Sequence, residues 1–154
     1  MSADAPTPDG RPDTRDQRQP GTAIDVVHNF WAEVWQAPHN VDAIDELVTE
    51  DFVIISGGTE IHGRAAFKEW VRAFHGAITD IHLEPVDTFQ NADGSRVASR
   101  WVLTGTNNGF AGTEPDGQQV RMTGTAVWHV LPDGRLTHNY VERNALELLR
   151  QLTS

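Results

Sequence analysis

Cysteine is absent from the 154 residues, which excludes disulfides, thiolate nucleophiles, iron–sulfur clusters and Cys-ligated zinc. Long apolar runs are absent too. The longest, Phe52-Val53-Ile54-Ile55, is far short of the ~20 residues of a membrane-crossing helix. Positive charge is scarce: 12 Lys and Arg stand against 22 Asp and Glu, for a net charge of −10. That is the wrong sign for gripping nucleic-acid phosphates or an anionic membrane surface. The start of the chain has neither a basic stretch nor an apolar one, so no secretory signal is expected and the cytoplasm is the expected location. The seven histidines show no His-x-His or His-Glu-x-x-His spacing, and no Gly-x-Ser-x-Gly, P-loop or dinucleotide fingerprint occurs. Neither a metal nor a cofactor is expected.

What is present is enough apolar material for a core, 38% of residues, and a length that predicts one domain. Residues 1–21 stand apart, holding four of the eight prolines together with interspersed Asp and Arg. Such a segment cannot offset its ordering entropy, so it reads as a disordered tail ahead of a folded domain over 22–154.

From Thr22 the period becomes helical. Ile24, Val27, Phe30, Trp31, Val34 and Trp35 share a stripe, Thr22 with Asp25 predicts an N-terminal cap, and Pro38 a stop. Asn40 is expected to cap a short second helix, and Phe52–Ser56 to form a strand ended by Gly57-Gly58. A third helix follows Gly63, with Gly76 as its stop. The rest is β-rich: Ile78–Phe89, interrupted at Pro85, then Arg96–Thr106, Val120–Leu131 and Leu136–Glu142, with a closing helix over Ala145–Leu152. Helices followed by a strand meander predict an α+β fold, a cone-shaped curved antiparallel sheet whose concave face the helices cover, with a pocket between them.

Alternation assigns the strand faces. Trp101, Leu103, Gly105 and Asn107 share the predicted inner face of one strand, and Met122, Gly124, Ala126, Trp128 and Val130 that of the next. In the last strand, counting from Leu136 places His138, Tyr140, Glu142 and Asn144 on that side as well. The expected site is therefore a small-molecule pocket with a wall of Trp101, Trp128, Met122, Phe110, Trp70 and Trp35 and a polar floor. Glu142 and His138 are its candidate acid and base, Tyr140 a substrate contact. The opposite face, with Arg100, Thr104, Thr123, Thr125, Val127 and His129, is broad enough to pair with a second copy.

Phe30-Trp31, His62-Gly63-Arg64, Arg100-Trp101, Gly105-Thr106-Asn107-Asn108-Gly109, Pro115-Asp116-Gly117 and the stretch Asn144–Leu152 occur in that order and spacing. Together they resemble the SnoaL-like polyketide cyclases, of the nuclear transport factor 2-like superfold, over Thr22 to Leu152. The resemblance implies a cone with a deep pocket, a homodimer, and a cofactor-independent tailoring enzyme of secondary metabolism such as antibiotic biosynthesis. Relatives include aldol cyclases and cofactor-free hydroxylases. In such cyclases the positions of Asn107 and Asn144 carry His and Asp, the acid/base pair of the aldol step. An amide accepts no proton near neutrality. Asn107 and Asn144 are thus expected to polarise a substrate carbonyl, in a ring closure that depends on substrate folding and hydrogen bonding: pericyclic, conjugate addition or epoxide opening. A hydroxylase and a non-catalytic ligand-binding or dimerisation module are the alternatives.

Overall fold

The computed structural model describes residues 22–154; the segment read as a tail, residues 1–21, lies outside the described residues. Helix α1 (Ala23–Val34) begins at the expected cap: the Thr22 hydroxyl accepts from the Asp25 N–H and the Asp25 carboxylate accepts from the Thr22 N–H, both at 3.1 Å. Two donors that a helix start leaves orphaned are thereby met. The helix ends ahead of Pro38. Asn40 makes no side-chain cap; a 3₁₀ turn (Val41–Ala43) leads instead into the single turn of α2 (Ile44–Leu47).

Strand β1 (Val48–Ser56) starts four residues before Phe52 and folds back at Gly57-Gly58 onto β2 (Thr59–His62). Both glycines have positive φ. Helix α3 (Arg64–Ala77) runs through Gly76, the expected stop, and ends where Ile78 turns extended. The meander that follows is β3 (Ile78–Gln90), β4 (Arg96–Asn107), β5 (Gln119–Val130) and β6 (Leu136–Arg143), closed by α4 (Ala145–Thr153).

These strands form one curved, unclosed sheet in the order β2-β1-β6-β5-β4-β3. Every ladder is antiparallel except β1–β6. Three reversals after the crossover by α3 bring β6 alongside β1 in the same direction. The expected edge strand is β3, with register shifts after Thr79 and after Pro85. Its exposed edge is blunted by Gln36, whose amide oxygen accepts from the Leu83 N–H at 3.1 Å while its NH₂ donates to the Leu83 carbonyl. One side chain thus supplies what a further strand would.

The core lies between the concave sheet face and the helices. Val27, Phe30 and Val34 of α1 and Phe67 and Val71 of α3 meet Val97, Leu103, Met122 and Trp128, all buried. The inner faces of β4 and β5 are those that alternation predicts. The inner face of β6 is not. Pairing passes from His129↔His138 to Val130↔Leu136, so Thr137 is an extra residue with no partner on β5. A one-residue bulge reverses the face of everything beyond it. Asn139 and Val141 are consequently buried, whereas Tyr140 and Glu142 are exposed on the convex side and His138 half-buried there. The expectation that His138, Tyr140 and Glu142 share the pocket side is corrected by this bulge.

Helices α1 and α3 are tied by His75, whose Nε2 donates to the Val34 carbonyl at 2.9 Å and whose ring lies 4.1 Å from that of His39. Burial holds the His75 imidazole below its ordinary value of 6.5; the bond to Val34 opposes this and His39 adds to it. The native state therefore binds this proton less readily than the unfolded chain. Its contribution is complete above the unfolded value of about 6.5 and is lost as the pH falls from there through the depressed native value. Thermal unfolding at about pH 5 and about pH 7.5 should show a larger drop for the parent than for His75→Gln. Equal drops would exclude the imidazole as the source.

Candidate functional site

Between the helices and the concave face lies a slot enclosing about 430 Å³ of atom-free space, its mouth included. Helix α1 contributes Trp31 and Trp35, and α3 contributes Trp70 and Phe74. The sheet contributes Leu83, Trp101, Leu103, Ala126 and Trp128, with Ile54, Ser56, Asn139, Val141 and Arg143 from the β1–β6 pair.

The aromatic wall is held by edge-to-face contacts, the favoured geometry for aromatic quadrupoles. Trp128 meets Phe30 with centroids 5.1 Å apart and Trp31 at 6.4 Å. Trp35 meets Phe74 at 5.3 Å and Trp70 at 6.2 Å. Trp101 lies across the strand over Gly124, where a Cβ would fall 2.2 Å from its Cζ2. Gly124 is therefore the position that lets an indole lie flat against β5.

The polar side follows from the bulge and from the parallel ladder. Beyond Thr137 the inward residues of β6 are Asn139, Val141 and Arg143. Register with β1 sets Asn139 opposite Ile54 and Val141 opposite Ser56, which brings Ser56 to the same end. Four buried polar atoms here have no hydrogen-bond partner among the described residues: Ser56 Oγ, Trp128 Nε1, Asn139 Oδ1 and Arg143 Nε. Buried polar groups are ordinarily paired, so four orphans on one slot mark a place where partners come from elsewhere. Arg143 is the most exceptional. No carboxylate lies within ion-pair distance of it among the described residues. Its guanidinium sits 5.6 Å from the Phe74 ring centroid and 6.0 Å from that of Phe110, with Nη1 3.9 Å from Met122 Sδ. Burial pushes its pKa below the usual arginine value, yet a guanidinium remains a cation near neutrality.

Of the residues expected from the sequence, Trp35, Trp70, Trp101 and Trp128 line the slot. Met122 is fully buried and touches the slot only through Arg143; Phe110 packs behind Phe74 at 6.1 Å. Asn107 and Asn144 face neighbouring backbone. The Asn107 side chain accepts from the N–H groups of Gly109 and Phe110 and donates to Thr113, Glu114 and Asp116. Asn144 Oδ1 accepts from the Thr123 N–H at 2.9 Å, prolonging the β5–β6 ladder. His138 and Tyr140 stack on the convex face beside His129, with centroids 5.8 Å and 4.8 Å from the His138 ring. Glu142 is exposed on that face. Sequence reasoning missed Ser56, Asn139, Arg143 and Trp31. For β6 the signal was Val141, since counting from it rather than from Leu136 places Asn139 and Arg143 inside.

Residues 27–139 match the SnoaL-like domain family. No curated protein matches the sequence. Among solved structures, a provisionally named SnoaL-like polyketide cyclase from Jannaschia sp. CCS1 superposes with a TM-score of 0.77 at 18% identity, covering 94% of this chain and 96% of that one. IdmH from Streptomyces antibioticus, a provisionally named polyketide cyclase, gives 0.71 at 22% identity, covering 86% and 99%. SalBIII, an epoxide hydrolase/cyclase-like enzyme in pyran ring formation in the polyether salinomycin, gives 0.68 at 24% identity, covering 80% and 92%. These likenesses establish a shared nuclear transport factor 2-like fold.

Gly124→Ala should drive the new methyl into the Trp101 indole. The expected cost is about 1–3 kcal/mol in urea unfolding, as for other overpacked cores, with an altered near-ultraviolet circular dichroism signal from the displaced indole. Unchanged stability and an unchanged spectrum would show that the ring does not rest on Gly124.

Proposed function

The chain belongs to the SnoaL-like domain family, and from that premise we propose that it is a cofactor-independent cyclase acting on a hydrophobic polyketide-like intermediate of secondary metabolism. The observation that carries this reading is the chemistry of the slot wall. Among the described residues it holds five Trp, one Phe and aliphatic side chains beside Ser56, Asn139 and Arg143, and no Asp, Glu, His, Lys or Tyr. No group there exchanges a proton near neutral pH. An enolising aldol step, which needs a placed acid and base, is therefore poorly served.

The wall suits a different kind of catalysis. A flexible chain confined between rigid indoles loses its unproductive conformers before reaction, and pre-organisation of this kind removes much of a ring-closing barrier. Arg143, the Trp128 N–H and the Ser56 hydroxyl are donors that can stabilise charge developing on a carbonyl or epoxide oxygen. Pericyclic closure, conjugate addition and epoxide opening all fit these two contributions. The pyran ring formation named for SalBIII lends the last two weight. We further propose that two copies pair across the convex face, where Tyr140 stands exposed beside His129 and His138.

All three closures convert a substrate into its isomer, which fixes the test. Deleting the gene in a host that makes the product should replace one metabolite by an isomer of identical mass, recovered as the cyclic compound when the gene is restored. A mass difference of one oxygen atom would instead mean hydroxylation. In the same assay Trp70→Ala, at a half-buried position of the wall, should lower product roughly 10-fold or more by loosening substrate conformation. Glu142→Gln should stay within about 3-fold of the parent, because the carboxylate lies on the other face of the sheet. The reverse ranking would overturn this reading.

A further inference from the structure

We infer that the ligand of the slot is an organic anion: an apolar body ending in a carboxylate or in the delocalised oxygens of an enolised dicarbonyl, with Arg143 as its counter-ion. The inference deepens the cyclase reading and rests on it for the identity of the site. Its first support is that Arg143 is a half-buried cation, its Nε fully buried and unpartnered, with no carboxylate in reach among the described residues. Taking a charge out of water is unfavourable unless a partner of opposite sign meets it. The rings of Phe74 and Phe110, 5.6 and 6.0 Å from the guanidinium carbon, compensate only in part, and the Nε–H stays unmet. A planar guanidinium edge matches two oxygens that share one negative charge.

The second support is independent of Arg143. Its neighbours on the slot are neutral: the Trp128 indole can only donate, and the Ser56 hydroxyl can donate or accept. Asn139 presents an amide whose ends exchange by a half-turn, so it can meet an oxyanion or a hydroxyl beside it. Among the described residues no acidic side chain lines the slot to compete for the cation or to repel the ligand. The remaining surface is aromatic and aliphatic, which assigns the rest of the ligand to an apolar body.

The test uses the full chain at about pH 7.5, with binding followed by tryptophan fluorescence and by calorimetry, and two matched probe pairs. Decanoate is compared with decan-1-ol. A 2-acyl-1,3-cyclohexanedione, ionised at that pH, is compared with its neutral enol methyl ether. The anion of at least one pair should bind about 10-fold more tightly than its neutral partner, as a charge-assisted pair predicts. The pair with the larger preference identifies the source, carboxylate or enolate. Arg143→Met should abolish the preference by weakening binding of the anion more than that of its neutral partner, and Arg143→Lys should restore part of it. Should Arg143→Met fail to fold, the preference in the parent and its reduction in Arg143→Lys decide the matter. Neutral probes bound as tightly as their anions in both pairs would overturn the anion and leave the slot as a ligand site. Binding of no probe at all would overturn both readings together.

Discussion

One unpaired residue, Thr137, decides which side chains of the last strand meet the cavity. The turn at Pro132-Asp133-Gly134 sets Leu136 against Val130, and the bulge then shifts the ladder by one before His138 pairs with His129. Without it, the concave face would receive two aromatic rings and a carboxylate. With it, the same face receives an amide, an aliphatic and a guanidinium. The parallel ladder with β1 carries its own register shift between Val48 and Val53, after which Ser56 meets Val141. A bulge costs a ladder position and gains the aim of three side chains, which is why such irregularities sit beside sites.

The slot combines two terms that normally oppose each other. Indoles and aliphatics expel water, which stabilises the fold and strengthens any electrostatic interaction made inside. The same dryness raises the cost of each unpaired polar atom. A sequence selected for stability alone would fill positions 56, 139 and 143 with apolar side chains, as it does at Ile54 and Val141 on the same strands. Polar groups kept at alternate positions among apolar ones are a local departure from the best core, of the kind that accompanies binding.

Much of the fold was legible because its signals are local. The Thr22–Asp25 cap, the helical stripes of α1 and α3, the turns at Asn91–Gly94 and Pro132–Gly134, and the inner faces of β4 and β5 each depend on a few neighbouring residues. The aromatic wall followed from those faces. What escaped depends on pairing between distant segments. The strand β2 is four residues long with mostly exposed side chains, so no periodicity announces it. The direction of β6 against β1 is set by the number of reversals between them. The bulge at Thr137 carries no glycine or proline to mark it, and a strand whose residues alternate polar and apolar from either starting point has two readings. Counting from Leu136 puts His138, Tyr140 and Glu142 inward, counting from Val141 puts them outward, and the ladder with β5 decides for the second.

Asn107 and Asn144 show how the same substitutions look different from sequence and from structure. Seen as replacements of an acid/base pair, they suggest a weakened site. In the fold they organise backbone: Asn107, 1% exposed, meets five groups of the 109–116 loop, and Asn144 extends a ladder beyond its last strand residue. An amide does this well because it offers two N–H donors and an oxygen with two lone pairs, whereas a carboxylate only accepts and a neutral imidazole has one donor and one acceptor. The loop that Asn107 secures carries Phe110, which backs Phe74 and lies against Arg143. Asn107 thus acts on the slot at one remove, by fixing the loop that carries part of the aromatic seat of Arg143. The proposed ring closure, driven by confinement and by one placed positive charge, is the reading that this arrangement supports.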